Sequence, residues 1–322
     1  MLPNFVHIGV PKSCSATISA ILRRHPEIYT PGPKELNFFN RTTEFSKGLD
    51  WYQDTYFSNA ADQPVLCDNS IAYAAGNTEV TIHRIRAALG PDTRILLTLR
   101  HPADRAYSQY CMARYKGQFE PLDFTDAVRD ACHIEGDYSH ADMDEIQEGR
   151  HHASARNMSL FRHGFYLVPG RYADLLRHCQ TAFGADNVLV LFTEEMASDL
   201  QGSIDRLTRF MGVSNITVQS DLRANEATAL RYPWLRKIYN KVYSIGIVQR
   251  AYHGLSRKNR SKLRRKLMSW NYKKNDSLPK AAPAALALLQ DYYEPDMRAL
   301  QEMLGRDLPG WLDKYSAAKD TA

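Results

Sequence analysis

Several features that define whole classes of protein are missing from this chain of 322 residues. Its five cysteines show no Cys-x-x-Cys spacing, so the sequence indicates neither a zinc site nor a disulfide framework. Apolar runs such as 95–97 are far shorter than the ~20 residues that cross a bilayer. The first residues lack the basic and apolar regions of a signal peptide. We therefore expect free thiols and a cytoplasmic location.

Acidic residues are absent from one long segment, 231–275, which holds fourteen of the 41 Lys and Arg residues. The net charge of the whole chain is only +5, so this segment alone makes the protein basic. Tyrosines and tryptophans are interleaved with the charges, and such a surface attracts phosphates, sulfates, acidic glycans or anionic lipids. Nucleic acid would bind through charge alone, because no nucleic-acid motif accompanies the segment. A solvated pair of amphipathic helices is the alternative.

The rest of the chain alternates between strand and helix patterns, with an ordinary 44% of hydrophobic and 24% of charged residues. Apolar, β-branched runs predict strands at 4–10, 65–67, 94–99 and 187–192. Helical periodicity predicts helices at 78–89, 103–116, 170–182, 200–211 and 279–304. This alternation predicts an α/β fold, in which a central, mostly parallel sheet lies between two layers of helices. The polar segment 133–157 is predicted to be a surface insertion.

The turn after the first strand, residues 11–16, leads directly into a helix and suits an anion. A turn at the carboxyl end of a strand presents backbone N–H groups at a helix N-terminus, where the dipole also favours negative charge. Lys12 adds a positive charge, and the hydroxyls of Ser15 and Thr17 are able to cap the helix and donate to an oxyanion. The turn is not a Walker A loop, because no Gly-Lys-Ser/Thr follows Gly9. The missing motif removes most of the support for a kinase function. The alternative to an anion site is a plain strand-to-helix connection that binds no ligand.

A second positive charge, Arg100, stands at the carboxyl end of the predicted strand 94–99. Parallel strands end at one edge of the sheet, so Arg100 and Lys12 are predicted to share that edge. A charge in this position is more often functional than a charge elsewhere on the surface. Ser108 lies roughly two helical turns into the helix that follows.

A series of motifs, in order along the chain, resembles sulfotransferases that use 3′-phosphoadenosine 5′-phosphosulfate (PAPS). The resemblance is to the glycan-type branch, which includes heparan sulfate sulfotransferases and bacterial relatives. The motifs are FVHIGVPKSCSATI from Phe5, KELNFF from Lys34, KGLDWY from Lys47, LRHPADRAYS from Leu99, HGFY from His163 and LGRDL from Leu304. The resemblance implies one P-loop-like domain over residues 1–322. Its nucleotide-binding core would be 4–215, its basic helical lid 231–275, and its C-terminal helix, packing on the core, 279–313.

The resemblance also implies the roles of particular residues. The donor's 5′-phosphosulfate would be held by Lys12, Ser13, Cys14, Ser15, Ala16 and Thr17, and its 3′-phosphate by Arg100 and Ser108. Tyr166 would lie beside the nucleotide. Glu35 would be the catalytic base that takes a proton from a hydroxyl or amine of the acceptor, and Lys12 would neutralise the leaving phosphate. The implied acceptor is a carbohydrate, as a glycan or glycolipid. No metal is expected, because the loop supplies the positive charge.

The chain departs from the family pattern at three places. Cys14 stands where the loop usually has glycine, Ala16 replaces a threonine, and the segment Cys-Asp-Asn-Ser-Ile at 67–71 lacks a lysine common in glycan-acting members. A Cβ at position 14 would hinder the approach of a phosphate to the backbone, and Ala16 removes a hydroxyl donor. A catalytically impaired relative that binds the nucleotide or a polyanion therefore stays open, as does a P-loop-like kinase. The segment 231–275 would be a lid over the donor or a contact with an anionic membrane or polyanion.

Overall fold

The computed structural model describes residues 1–117, 120–134, 155–218, 228–230, 272–274 and 280–315. The chain divides into two compact units. The larger comprises Met1–Gln109, Leu122–Ala224 and Ala281–Ala322, and the smaller comprises Tyr110–Pro121 and Asn225–Lys280. Of the basic segment 231–275, only the strand Tyr272–Lys274, which pairs with the strand Thr228–Leu230, lies among the described residues. The predicted lid and most of the predicted insertion 133–157 lie outside the described residues.

A five-stranded parallel sheet forms the centre of the larger unit, with the strand order β2-β3-β1-β4-β5. The strands are β1 (Phe5–Gly9), β2 (Ile28–Tyr29), β3 (Val65–Asn69), β4 (Arg94–Leu99) and β5 (Val188–Phe192). The three central strands are buried almost throughout. Helices on both faces of a parallel sheet explain why these strands read as continuous apolar runs instead of alternating. The predicted α/β fold with a mostly parallel sheet is confirmed.

Eleven α-helices lie within the described ranges. They are α1 (Ser15–Leu22), α2 (Thr42–Phe45), α3 (Gly48–Tyr56), α4 (Thr78–Leu89), α5 (Pro102–Cys111), α6 (Phe124–Cys132), α7 (Ala155–Arg162), α8 (Tyr172–Phe183), α9 (Thr193–Ser198), α10 (Leu200–Met211) and α11 (Pro283–Leu304). Short 3-10 helices lie at Ile71–Ala74, Val168–Gly170 and Ala185–Asn187, and π-helical turns at Met112–Gly117 and His163–Leu167. None of these described helices combines the length and the apolar character needed to cross a bilayer.

Two helical layers enclose the sheet of the larger unit. On one face α1 packs against α10 through the buried residues Ile18, Ile21, Leu22, Ile204, Leu207 and Met211. On the other face α8 packs between α4 and α11 and contacts β4 and β5. Asp296 of α11 accepts hydrogen bonds from the backbone N–H groups of Tyr172, at 2.7 Å, and Ala173, at 3.1 Å. This carboxylate thereby caps the N-terminus of α8, which has no intrahelical acceptors for those groups.

The strand order creates a crevice at the carboxyl edge of the sheet. The chain leaves β1 for β2 and β3 on one side, while β4 and β5 lie on the other. In open α/β sheets, ligands bind outside the carboxyl ends of the strands where the order reverses in this way. The loops that follow β1, β3 and β4 all open at this edge.

Candidate active site

Two loops at the carboxyl edge contain all four non-glycine residues that have a left-handed backbone among the described residues. Lys12 (φ 76°) and Cys14 (φ 57°) lie in the loop after β1, and Glu35 (φ 62°) and Asn37 (φ 54°) lie in the loop after β2. Each such residue costs about 1–3 kcal/mol, and residues of this kind cluster at binding and catalytic sites. The backbone therefore marks these two loops as a candidate site, independently of any sequence motif.

The loop after β1 has the geometry of an anion site. The N–H groups of Thr17 and Ile18 donate to the carbonyl of Cys14 at 3.0 and 3.2 Å, so α1 begins directly after Cys14. The earlier N–H groups of a helix have no intrahelical acceptor, and the dipole favours an anion beside them. Ser13 is fully buried, and its hydroxyl has no hydrogen-bond partner within the described part of the chain. This hydroxyl and the N-terminus of α1 fit the oxygens of a phosphate or sulfate.

The carboxylate of Glu35 is fixed at the end of β3, next to the strand that precedes the anion loop. The backbone N–H of Glu35 donates to the carbonyl of Asn69 at 3.2 Å, and its own carbonyl accepts from Asn37 Nδ2 at 3.0 Å. Its Oε2 accepts from the backbone N–H of Ala72 at 3.2 Å. The side chain remains 29% exposed. Glu35 is thus held firmly, while part of its carboxylate stays accessible to a substrate.

Partial burial tunes the acidity of Glu35. Burial raises its pKa to about 6, against the opposing effects of the Ala72 N–H and the positive charge of Lys34, while the nearby Asp68 adds to the rise. A group with this pKa is mostly deprotonated at pH 7 and yet basic enough to accept a proton. General bases work best when their pKa lies near the working pH. Its environment therefore suits Glu35 to proton transfer.

A buried hydroxyl cluster around Asp68 supports the loop that carries Glu35. The fully buried Asp68 accepts from Ser70 Oγ at 2.5 Å, from the Tyr52 hydroxyl at 2.6 Å and from the Tyr73 hydroxyl at 2.7 Å. Ser70 Oγ in turn accepts the backbone N–H of Leu36 at 2.8 Å. Burial raises the pKa of Asp68, although the three hydroxyl donors act in the opposite direction. The cluster joins α3, β3 and the 3-10 helix Ile71–Ala74 directly beneath Glu35.

Lys34 connects the two strained loops. Its Nζ donates to Ser15 Oγ, in the first turn of α1, at 3.3 Å. The same Nζ lies 3.9 Å from Glu35 Oε1, and the Lys34 side chain is 32% exposed. Glu35 and the anion loop are therefore immediate neighbours in space, although they are about twenty residues apart in the sequence.

The backbone around Arg100 is fixed from three sides at the end of β4. The Thr193 hydroxyl donates to the carbonyl of Leu99 at 2.9 Å, and the Tyr172 hydroxyl donates to the carbonyl of Arg100 at 2.7 Å. Glu194 Oε1 accepts the backbone N–H of the next residue, His101, at 3.0 Å. The half-buried guanidinium of Arg100 itself makes no hydrogen bond within the described ranges. These three contacts fix the backbone that carries the Arg100 charge at the end of β4.

Cys14 brings the anion loop next to Arg100. Burial raises the pKa of the Cys14 thiol, while a hydrogen bond with Thr193 and the charge of Arg100 oppose the rise. These interactions require the loop after β1, the end of β4 and the start of α9 to be close together. The structure thus places two of the residues named from the sequence, Cys14 and Arg100, within electrostatic range of each other.

The remaining residues named from the sequence have different surroundings. Ser108 is half-buried on α5, and Ala16 is half-buried in the first turn of α1. Tyr166 is fully buried in the π-helical turn His163–Leu167, and its carbonyl accepts from the Tyr293 hydroxyl at 3.0 Å and from Arg105. Its ring makes an edge contact with Phe161, and its place beside the nucleotide stays a prediction.

The sequence patterns did not single out Lys34, the Asp68 cluster, or the support of Arg100 by Tyr172, Thr193 and Glu194. A carboxylate inside the apolar strand Val65–Asn69 is the one sequence signal that could have indicated the cluster, because a buried charge needs partners.

No group of three or more His, Cys, Asp or Glu side chains among the described residues is arranged to hold a metal ion.

Comparison with known proteins identifies a family. The model of the sulfotransferase domain matches residues 2–267. Over 219 residues the chain is 28% identical to the human bifunctional heparan sulfate N-deacetylase/N-sulfotransferase 2, a match that covers 66% of this chain and 22% of that protein. Over 316 residues it is 26% identical to the mouse heparan sulfate glucosamine 3-O-sulfotransferase 3A1, covering 96% of this chain and 64% of that protein. The chain thus spans about a fifth of the first relative and less than two thirds of the second.

A solved structure shares the fold. A sulfotransferase from Alicyclobacillus acidocaldarius superposes with a TM-score of 0.60 and 21% sequence identity, covering 97% of this chain and 99% of that chain. This likeness supports the α/β fold described for the larger unit.

Proposed function

Because the chain belongs to the sulfotransferase domain family, we propose that it transfers a sulfuryl group from PAPS to a hydroxyl or amine of a carbohydrate. The names of its relatives support this acceptor class, since both act on heparan sulfate, one on nitrogen and the other on oxygen. The observation that carries the proposal is the position of Glu35. A carboxylate of suitable basicity is fixed beside an anion loop, and Lys34 bridges the two.

The donor would occupy the crevice between the anion loop and Arg100. The residues proposed to hold its 5′-phosphosulfate are Lys12, Ser13, Cys14, Ser15, Ala16 and Thr17. The buried hydroxyl of Ser13, which has no hydrogen-bond partner among the described residues, and the N-terminus of α1 fit this role. The guanidinium of Arg100, with Ser108 on the following helix, would hold the 3′-phosphate, because guanidinium groups bind phosphate through paired hydrogen bonds. The proximity of Cys14 to Arg100 supports one ligand touching both.

Glu35 would act as the general base. As the acceptor oxygen or nitrogen forms its new bond to sulfur, Glu35 takes the proton that this atom loses. The bond between sulfur and the bridging oxygen breaks, and its electron pair stays on the 5′-phosphate of the product, 3′-phosphoadenosine 5′-phosphate (PAP). Lys12 and the N–H groups of the loop would stabilise the charge that develops on that oxygen. As in phosphoryl transfer, most of the catalysis then comes from positioning and electrostatics.

The direct test is transfer from labelled PAPS to a panel of acceptors, together with calorimetric titration of PAP. The panel contains oligosaccharides with free amino groups, oligosaccharides with hydroxyls only, and a simple phenol. We expect transfer to at least one carbohydrate and saturable PAP binding. Transfer to the phenol alone would refute the carbohydrate assignment. PAP binding without any transfer would favour the catalytically impaired relative that Cys14 and Ala16 allow.

Glu35→Gln tests the base. We expect kcat to fall by about 10²–10⁴, the usual contribution of a positioned base, with PAP affinity unchanged. Glu44→Gln is the matched control, because Glu44 lies in the same connection between β2 and β3 and pairs with Lys47 at 2.6 Å. Equal losses of turnover and PAP affinity in Glu35→Gln would contradict the assignment.

A further inference from the structure

Lys34 occupies a position that the mechanism above leaves without a role. Its ammonium is within hydrogen-bond distance of Ser15 in the anion loop, at 3.3 Å, and 3.9 Å from the Glu35 carboxylate. Its side chain is 32% exposed, so the ammonium is neither sealed in the interior nor extended into solvent. Glu35 has no other ion-pair partner among the described residues.

The geometry of an in-line transfer indicates what lies next to the Lys34 ammonium. The leaving oxygen must lie against the anion loop, and the attacking atom must lie within reach of Glu35. The sulfuryl group in transfer lies between them. A cation that touches the loop on one side and the base on the other is therefore next to the sulfuryl group, where charge spreads over three non-bridging oxygens.

On the basis of the proposed function, we propose that Lys34 is a catalytic residue whose ammonium contacts the non-bridging oxygens of the sulfuryl group during transfer. No bond to Lys34 forms or breaks. The sulfur exchanges one oxygen for the acceptor atom, the electron pair goes to the 5′-phosphate, the proton goes to Glu35, and Lys34 donates hydrogen bonds throughout.

The other ionisable groups near Lys34 include some that are neutral or bound to other partners. Arg23, at the end of α1, donates instead to the carbonyl of Pro31 at 2.8 Å. His7 of β1 is neutral at pH 7, because burial and the charge of Lys34 lower its pKa to about 3. Asp68 of β3 is occupied by three hydroxyl donors. Burial lowers the pKa of Lys34 itself, with Glu35 opposing and Arg23 adding to the effect.

The variants Lys34→Gln and Lys34→Arg separate this role from a structural one. Removing a donor that is aimed at developing charge costs about 10²–10³ in kcat, so we expect such a loss in Lys34→Gln and a smaller one in Lys34→Arg, which keeps the charge. PAP lacks the sulfuryl group, so its affinity should stay within about threefold of wild type in both variants. Lys47→Gln is the control, because that lysine is exposed in the same connection and pairs with Glu44.

The pH profile gives a second readout. Lys34 lowers the pKa of Glu35, so Lys34→Gln should move the acid limb of kcat/KM to higher pH. In Lys34→Arg the alkaline limb should move to higher pH, because a guanidinium replaces an amine of lowered pKa.

Three results would overturn the inference. The first is a kcat of Lys34→Gln within about threefold of wild type, and the second is a loss of PAP affinity equal to the loss of kcat. The third is a pH profile of kcat/KM whose acid and alkaline limbs are unchanged in both variants. If Lys34→Gln fails to fold, an alkaline limb in Lys34→Arg that matches wild type overturns it. A wild-type protein that neither transfers from PAPS nor binds PAP would refute the proposed function itself. That failure is seen before any variant is made.

Discussion

Removing one tyrosine hydroxyl from the buried Asp68 cluster should lower the free energy of unfolding more than removing a tyrosine hydroxyl that donates to a neutral carbonyl. Tyr52 and Tyr73 both donate to Asp68 Oδ2, at 2.6 and 2.7 Å. Replacement by Phe keeps each ring, so the loss is that of a hydrogen bond to a buried carboxylate, which contributes about 1.5–3 kcal/mol. Tyr29 provides the control, because its hydroxyl donates to the neutral carbonyl of Tyr56 at 3.0 Å and a bond of that kind contributes about 0.5–1.5 kcal/mol.

Urea unfolding measures these differences. We expect Tyr52→Phe and Tyr73→Phe each to lower the free energy of unfolding by about 1.5–3 kcal/mol, and Tyr29→Phe by about 0.5–1.5 kcal/mol, with equal m-values. The double variant leaves Ser70 as the remaining hydroxyl donor to Asp68 among the described residues. Its loss should exceed the sum of the single losses, because the two hydroxyls share one acceptor oxygen.

The cost of Tyr73→Phe should also depend on pH. Burial raises the pKa of Asp68 even with three donors present, so the carboxyl group gains its proton at a higher pH than an exposed aspartate does. Once protonated, it carries no charge that needs the lost donor. The destabilisation should therefore shrink as the pH falls through this raised pKa. Variants at Tyr52 and Tyr73 that cost no more than Tyr29→Phe at pH 7, or a cost that grows in acid, would refute the reasoning.

Two further predictions concern the site. The kcat/KM of the wild-type enzyme should fall in acid with a midpoint near pH 6, because burial raises the pKa of Glu35 to about 6 and the base must be deprotonated. A kcat/KM that does not change across pH 6 would contradict this. Arg100→Ala should weaken PAP binding by about 10²–10⁴-fold in calorimetry, the value of two charge-assisted hydrogen bonds, and leave the midpoint of urea unfolding almost unchanged. Unchanged PAP affinity would count against a role in binding the 3′-phosphate.

The long, periodic elements were predictable because each buries a continuous face. The strand predicted at 94–99 is Arg94–Leu99, and the helices predicted at 78–89 and 200–211 are Thr78–Leu89 and Leu200–Met211. The strand Ile28–Tyr29 was missed, because two residues are too few to show a pattern. It lies between α1 and α2, where the sequence analysis predicted no strand.

The charged residues that follow predicted strands could be assigned to the candidate site from the sequence, whereas the residues that hold them in place could not. Lys12 and Arg100 follow predicted strands, so the parallel sheet alone brings them to one edge. Glu35 was named only from the family resemblance, because the strand before it, β2, was missed. The partners that hold them come from remote parts of the chain. Glu194 reaches the turn after β4 across 93 residues, and Tyr52 reaches β3 across 16. Such pairings depend on how the helices pack, which no local pattern encodes.

The departure at position 14 acts on the backbone more than on access to the anion. A cysteine with a φ of 57° lacks the freedom of the glycine it replaces, at a cost of roughly 1–2 kcal/mol. Its side chain packs against the core between α1 and α10 and interacts with Thr193, at the start of α9. The side chain is therefore held by the core and by α9, so it need not fill the space before the N-terminus of α1. Cys14 thus contacts the same element, α9, that holds the backbone around Arg100, so both ends of the proposed donor site are supported by one helix.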